Sequence, residues 1–286
     1  MLTTNRNGLN FGVLDAAISR TAQSLVEHTK LLEAHSYDCF WVPVDRADLL
    51  YDITTQIKHL KFGVYCNARD GDAMSMAETI LGLHKKAPGR IHVGLNATGD
   101  QSQITTVIEK LKAILPPTIT LSALSQASPA GAQLAGVNKL GLMSIAATTP
   151  GGFNALSPSW DIYQRNCGDI SANRNTWALA GPVHIAATRK TAYQQVEQGL
   201  PRWIENLRET QQVNLVSKGG DPVKSLVTNG IAVIGTPTDA IKQIRRLRKA
   251  SGGFGCFLQT VHGWADEQAT IRSYELFAQR VIPLFR

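Results

Sequence analysis

Long apolar runs are missing from this chain of 286 residues. No stretch approaches the roughly 18 uninterrupted apolar residues that a membrane-spanning helix needs, so no membrane contact is expected. The opening residues, MLTTNRNGLNFGVLD, hold no apolar core of the secretory kind, and the cytoplasm is the expected compartment. Cysteine is scarce: Cys39, Cys66, Cys167 and Cys256 lie far apart with no C-x-x-C spacing. Three of them, Cys39, Cys66 and Cys256, fall inside apolar runs, where a thiol acts as a small buried hydrophobe. The seven histidines show none of the H-x-H, H-x-x-x-H or H-E-x-x-H spacings, so a metal site has no support. Aromatics make up 7% of the chain, and none interleaves with its densest basic cluster, KQIRRLRKA at Lys242–Ala250. That argues against a nucleic-acid surface. The cluster reads instead as the solvated face and C-terminal end of a helix, where basic residues complement the dipole. Acid is the scarcer charge, 22 residues against 29 basic, and the net +7 leaves a phosphate-bearing ligand or an acidic partner chain as uses for the excess.

What is present is alternation. Apolar residues at 43% and charged residues at 18% describe a globular chain with ample core material. Eight β-rich runs are expected as strands: Asn10–Leu14, Asp38–Val42, Lys61–Tyr65, Ile91–Leu95, Ile119–Ser122, Leu140–Ile145, Pro182–Ala186 and Phe254–Gln259. Between them, apolar residues recur at three- and four-residue spacing over Thr21–Ala34, Met76–Lys86, Ile104–Leu115, Lys190–Glu209, Asp239–Ala250 and Asp266–Val281, which predicts helices. Repeated β-then-α units with near-continuous apolar strands predict a parallel sheet covered by helices. Eight strands point to a closed (β/α)₈ TIM barrel, with an open doubly wound sheet as the rival. No linker or low-complexity run divides the chain, so one domain over residues 1–286 is expected.

Barrels carry their sites at the C-terminal ends of the strands. Those ends read Asp15, Pro43–Arg46, Cys66–Arg69, Asn96–Thr98, Ser122–Ser125, Thr148–Gly152 and His262. The stretch ATTPGGFN, Ala147–Asn154, offers hydroxyls at Thr148 and Thr149 and open backbone at Gly151 and Gly152. Such a corner suits a phosphate, and Pro-Gly is equally a plain turn former. SGGFG at Ser251–Gly255 is no dinucleotide fingerprint, because it precedes a strand instead of opening a helix.

Four blocks, SPAGAQLAGVNKLGLMSIAATTPGGF, GPVHIAATRKTAYQQVEQGL, VIGTPTDAIKQIRRL and SGGFGCFLQTVHGWADEQATIRSYELFAQRVIPLF, carry a resemblance. The region from Ser122 to Arg286 resembles the luciferase-like flavin monooxygenases, in particular their limonene-monooxygenase-like branch. YDCFWVP and APGRIHVGLNATG resemble that family more loosely. The resemblance implies an FMN-binding barrel that dimerises and uses reduced FMN supplied by a separate reductase. Carried across, it implies that Thr149, Gly151 and Gly152 hold the FMN phosphate. Asn96 and Ala97 would line the flavin from the fourth strand end, and Ser122 and Ser125 would face it from the loop after the fifth strand.

Three departures from the family pattern matter. After the second strand the family's histidine-bearing motif is replaced by Val44-Asp45-Arg46, and after the third the chain reads Cys66-Asn67-Ala68-Arg69-Asp70. The connection Asp100–Pro117 holds one helix and little else, which predicts a shallower, wetter pocket, poor at keeping water from oxygen chemistry. Two functions follow. In one, an FMN-dependent monooxygenase or oxidoreductase acts on a small organic or natural-product substrate; Asp45, Arg46 and His262 are the candidate catalytic residues, and Asn67 and Arg69 position the substrate. In the other, the chain is an auxiliary subunit, like the β subunit of bacterial luciferase, that stabilises a longer catalytic homologue as a heterodimer and binds no cofactor itself. A non-turnover flavin or small-molecule store is a third reading. Asp45 and Arg46 could equally pair at a barrel rim, His184 reads as a core histidine, and Trp41 and Trp264 read as packing anchors.

Overall fold

Each expected apolar run becomes a parallel strand, and the strands close on themselves. The structure, a computed structural model, describes residues 8–16, 21–67, 73–96, 99–168, 172–211, 215–216 and 219–286. Its strands are β1 Asn10–Asp15, β2 Cys39–Pro43, β3 Lys61–Asn67, β4 Ile91–Asn96, β5 Thr120–Ser125, β6 Gly141–Ser144, β7 Trp177–Ile185, β8 Val233–Gly235 and β9 Cys256–Val261. β1 to β7 pair in order, β7 pairs with β9, and β9 returns to β1. That ring of eight parallel strands is the TIM barrel, and its closure removes the doubly wound alternative.

Two strand expectations need correction. The seventh barrel strand is not Pro182–Ala186: Ala178–Pro182 pairs with β9 inside the ring, and only Val183–Ile185 runs on to pair with β8. β8 is a short ninth strand outside the ring that the sequence pattern did not separate from its flanking turns.

Helices alternate with the strands: α1 Ala22–Ala34, α2 Asp48–Gln56, α3 Ala73–Lys86, α4 Gln101–Ile114, α5 Ala130–Val137, α6 Pro150–Asn154 and α7 Leu156–Cys167. The second half adds α8 Arg189–Val196, α9 Gly199–Gln211, α10 Pro222–Thr228, α11 Pro237–Ser251 and α12 Glu267–Arg280. Their apolar stripes face the sheet. α4, for example, buries Ile104, Val107, Ile108 and Leu111, one face at helical spacing. Burying each such side chain is worth about 1.5–3 kcal/mol. α11 starts at Pro237 under a reciprocal cap between Thr236 and Asp239, and ends at Gly252 in the left-handed conformation. The single helix expected over Lys190–Glu209 is two. Pro201 has no N–H to give the Glu197 carbonyl, and Gly199 is pressed against the Trp264 carbonyl, where a Cβ would overlap it.

Inside the ring, side chains alternate in and out along each strand. Leu14, Cys39, Trp41, Leu124, Met143, Ala180, Cys256 and Leu258 form the lumen core, separate from the larger core between sheet and helices. Trp41 spans this lumen, resting on Gly63 and Gly94, whose missing side chains make room for the indole. All four cysteines are buried and free. Burial pushes the Cys66 thiol up to about 12, which leaves it inert near neutrality.

Candidate functional site

Above that core, the C-terminal mouth opens into a cavity of about 1300 Å³. Leu14, Tyr65 and Leu124, from β1, β3 and β5, line its base with Ile145, which follows β6 directly. Thr148 and Thr149 border one side; on the other, α8 supplies Gln194, α9 supplies Arg202 and Trp203, and Gln198 comes from the break between them. The connection from β4 to β5 is as short as expected: α4 begins at Gln101 and β5 at Thr120, with no hairpin between. The cavity wall comes instead from the segment after β7.

The ATTPGGFN corner is a helix start. Thr149 caps α6: its hydroxyl donates to the Ala146 carbonyl at 2.9 Å and accepts the Gly152 N–H at 3.2 Å. Gly152 is buried against the same carbonyl, and a Cβ there would overlap the Ala146 oxygen. Glycine at 152 is therefore required by packing. Gly151 is exposed, and an added Cβ would meet only Ala127 Cβ at 3.2 Å. As a first-turn residue, it carries an N–H for which the helix provides no acceptor. Thr148 is buried beside Gly181 and lines the cavity.

His262 follows β9 directly and faces the cavity. Its ring lies 4.7 Å from Trp203 and 5.7 Å from Trp264, and the two indoles are 5.0 Å apart. This aromatic setting pushes the imidazole down to about 4 by desolvation, so it is neutral at pH 7. It can exchange hydrogen bonds with a ligand but carries no proton to give as an imidazolium. Tyr65 is driven the other way, up to about 12, chiefly by burial and then by the charges of Asp15 and Asp45, with Arg46 opposing. No titration near neutrality is therefore resolved among the ionisable rings of the cavity wall.

The other sequence candidates scatter. Asp45 is exposed and Arg46 half-buried in the short turn Val44–Arg46; both act on the Tyr65 phenol, and neither lines the cavity. Asn96 ends β4 and is half-buried. Ser122 and Ser125 are not in a loop after the fifth strand: both lie within β5, because pairing with β6 continues through Ser125. Ser122 lines a second pocket at the opposite end of the barrel, and the Ser125 hydroxyl turns to the Ser128 carbonyl at 3.4 Å. Ala97 and Arg69 lie outside the described residues, and of Asn67 the backbone alone, at the end of β3, is described. His184 is buried and bonded to Gln195 at 2.9 Å, a satisfied core histidine held neutral mainly by desolvation. Among the described residues no group of three or more His, Cys, Asp or Glu is placed to hold a metal ion.

Sequence reasoning missed Tyr65 and Trp203. Tyr65 shares strand parity with Lys61 and Gly63, so its inward aim was readable once Gly63 was taken as lumen-facing. Trp203 was hidden in a helix expected to be continuous.

No family model matches the chain. It is similar to limonene 1,2-monooxygenase from Rhodococcus erythropolis, 39% identical over 166 residues, which is 55% of this chain and 42% of that enzyme. The chain thus matches less than half the length of that curated relative. In shape it resembles monooxygenase RslO1 from Streptomyces bottropensis, with a TM-score of 0.81 at 14% identity, covering 97% of this chain and 100% of that one. It also resembles the oxygenating constituent of 3,6-diketocamphane monooxygenase from Pseudomonas putida, solved with FMN, with a TM-score of 0.73 at 18% identity over 98% and 99% of the two chains.

Proposed function

We propose, for a chain whose homologues are limonene monooxygenase and other luciferase-like flavin monooxygenases, that it binds FMN at the barrel mouth and oxygenates a small apolar organic molecule there. The mouth cavity carries this reading. At about 1300 Å³ it exceeds the roughly 300–1,000 Å³ of an ordinary ligand pocket, enough for a flavin beside a second molecule. Its apolar base suits a planar ring system. Thr148 and the Gly151 amide are the donors at the corner that suit a phosphate, with Thr149 holding the corner's shape. When bound, reduced flavin supplies two electrons, so that one atom of dioxygen enters the substrate and the other leaves as water.

The chain's own residues bind and shield in this scheme. Trp203, His262 and Trp264 offer an aromatic wall against which an apolar substrate loses its water. Neutral His262 packs with the two indoles and can offer a hydrogen bond to a polar group of the flavin or the oxygenated product, not an imidazolium proton. Asp45 and Arg46, set outside the cavity, act on Tyr65 at its base. Substrate identity, a reductase partner and a homodimeric or heterodimeric assembly belong to the same proposal. The mutual satisfaction of Thr149 and Gly152 favours a second reading, in which the corner is purely structural and the chain is an auxiliary subunit.

Titration with FMN and with dithionite-reduced FMN separates the two. Saturable binding of the reduced form, followed by one-oxygen products from a terpene such as limonene on admitting air, supports the enzyme. A chain that ignores both flavin forms and instead copurifies as a stable heterodimer with a longer homologue sinks it.

A further inference from the structure

The N-terminal end of a barrel normally serves stability, and its lumen is filled. Here it holds a cavity of about 380 Å³, at the small end of the ligand-pocket range. Trp41, Met143 and Leu258 form its deep end, in the lumen core directly below Leu124, so it is separated from the mouth cavity by packed side chains. Ile119, Leu121 and Leu140 continue the apolar wall.

The entrance is different in kind. Lys112, at the end of α4, and Lys139, just after α5, flank it, and no Asp or Glu lines the cavity. The Lys112 ammonium donates to the Asn138 carbonyl, which fixes it at the rim. Lys139 has φ of 50°, a left-handed conformation that lysine rarely adopts. Desolvation depresses the Lys112 ammonium; exposed Glu109, one turn back, opposes this, and Lys139 is close enough to add a smaller push in the same direction as desolvation. Each helix C-terminus contributes about half a negative charge against the two full positive ones. With exposed Glu109 counted as well, little net charge is left, but what lines the pocket itself is two ammonium groups and no carboxylate.

We infer that this second cavity binds a small amphipathic monocarboxylate, its apolar body against Trp41 and Met143 and its carboxylate between Lys112 and Lys139. The neutral interior excludes a polyanion: His92 is buried there and stays uncharged, pushed down to about 3 by desolvation and then by Lys61. Tyr163 is already committed to the Leu140 carbonyl at 3.0 Å. The site stands apart from the mouth and does not depend on flavin binding.

Isothermal titration of the full chain with octanoate, and with octan-1-ol as the uncharged match, tests it. Octanoate is expected to bind at one site, more tightly than octanol, and to weaken as salt rises. Lys112→Gln with Lys139→Asn, an asparagine being tolerant of the left-handed backbone, should weaken octanoate roughly five- to tenfold and leave octanol unchanged. Both positions are exposed, so the variant should fold, and equal circular dichroism melting in the absence of ligand checks it. No saturable octanoate binding, equal affinity for octanol, or an unchanged double variant would each overturn the inference.

Discussion

Gly63 lies against the indole of Trp41, and any side chain at position 63 would overlap the ring. The two residues face each other across the β2–β3 pair, where Trp41 is in register with Gly63. Gly63→Ala should therefore destabilise the barrel by roughly 1–3 kcal/mol or more, through overpacking in a lumen that cannot expand. Urea unfolding is the measurement. A midpoint equal to that of the parent would mean that Trp41 is free to move.

The corner after β6 separates two adjacent glycines. Gly152→Ala drives a methyl into the Ala146 carbonyl, whereas Gly151→Ala meets only the Ala127 methyl, at a close 3.2 Å, which exposed Ala127 must relieve by a small shift. The first should lower the melting temperature by several degrees; the second should stay within about 0.5 kcal/mol of the parent. Thr149→Ala should cost about 1 kcal/mol as a lost cap, with Thr149→Ser restoring most of it.

Asp239 accepts a bidentate pair from Arg189 at 3.0 and 2.6 Å and caps α11 through Thr236. The Arg189 hydrogen bond, ahead of the other causes, brings its carboxyl down to about 2. Its folded value lies below its unfolded value, so the stabilisation is complete above the normal carboxylate range and drains away as pH falls through about 2. Asp239→Asn should lower the urea midpoint at pH 7, by less at pH 3.5, and scarcely at all near pH 2. An undiminished difference at the lowest pH would rule out the charge as its source.

His262 follows the same proton linkage for a different reason, because burial disfavours its charged form. Its folded value near 4 lies below the ordinary imidazole value, so the unfolded chain binds the extra proton. Stability tied to this residue is full above about pH 6.5 and falls as pH drops toward 4. His262→Gln should flatten that part of the stability profile. In a proton NMR titration, the His262 ring signal should not move between pH 8 and pH 5.5. An inflection near 6.5 would show the ring solvated.

The barrel was legible because periodicity is a local signal: strands such as Asn10–Asp15 and Ile91–Asn96 came out within a residue or two of their expected limits. What failed was long-range. WALAG at Trp177–Gly181 reads as small and featureless until β6 and β9 pair with it on either side. Asp48–Gln56 and Leu156–Cys167 do bury a stripe at helical spacing, but Thr54 and Ser159 stand in it and disguise it, whereas Ala130–Val137 is small and apolar nearly all round and draws its helicity from packing. In the site, chain order set Thr149 and His262 after their strands, and both line the mouth cavity. It misplaced Ser122, because a strand that runs three residues further moves its serine from the rim to the interior. Tyr65 and Trp203 became visible when folding brought β3, α9 and β9 around one volume.

β7 is shared between two structures along its length: residues up to Pro182 close the ring, and Val183–Ile185 carry β8. Ala192, Val196, Leu200 and Ile204 of α8 and α9 pack into a small core of their own with Leu226 and Ile234, apart from the core that supports the ring. The wall of the mouth cavity is thus attached to the barrel like a bay built onto a finished house. Changes in the length or packing of that bay would retune what the cavity admits while drawing mainly on the small core and touching the eight-stranded frame only through β7 and the Trp264 turn.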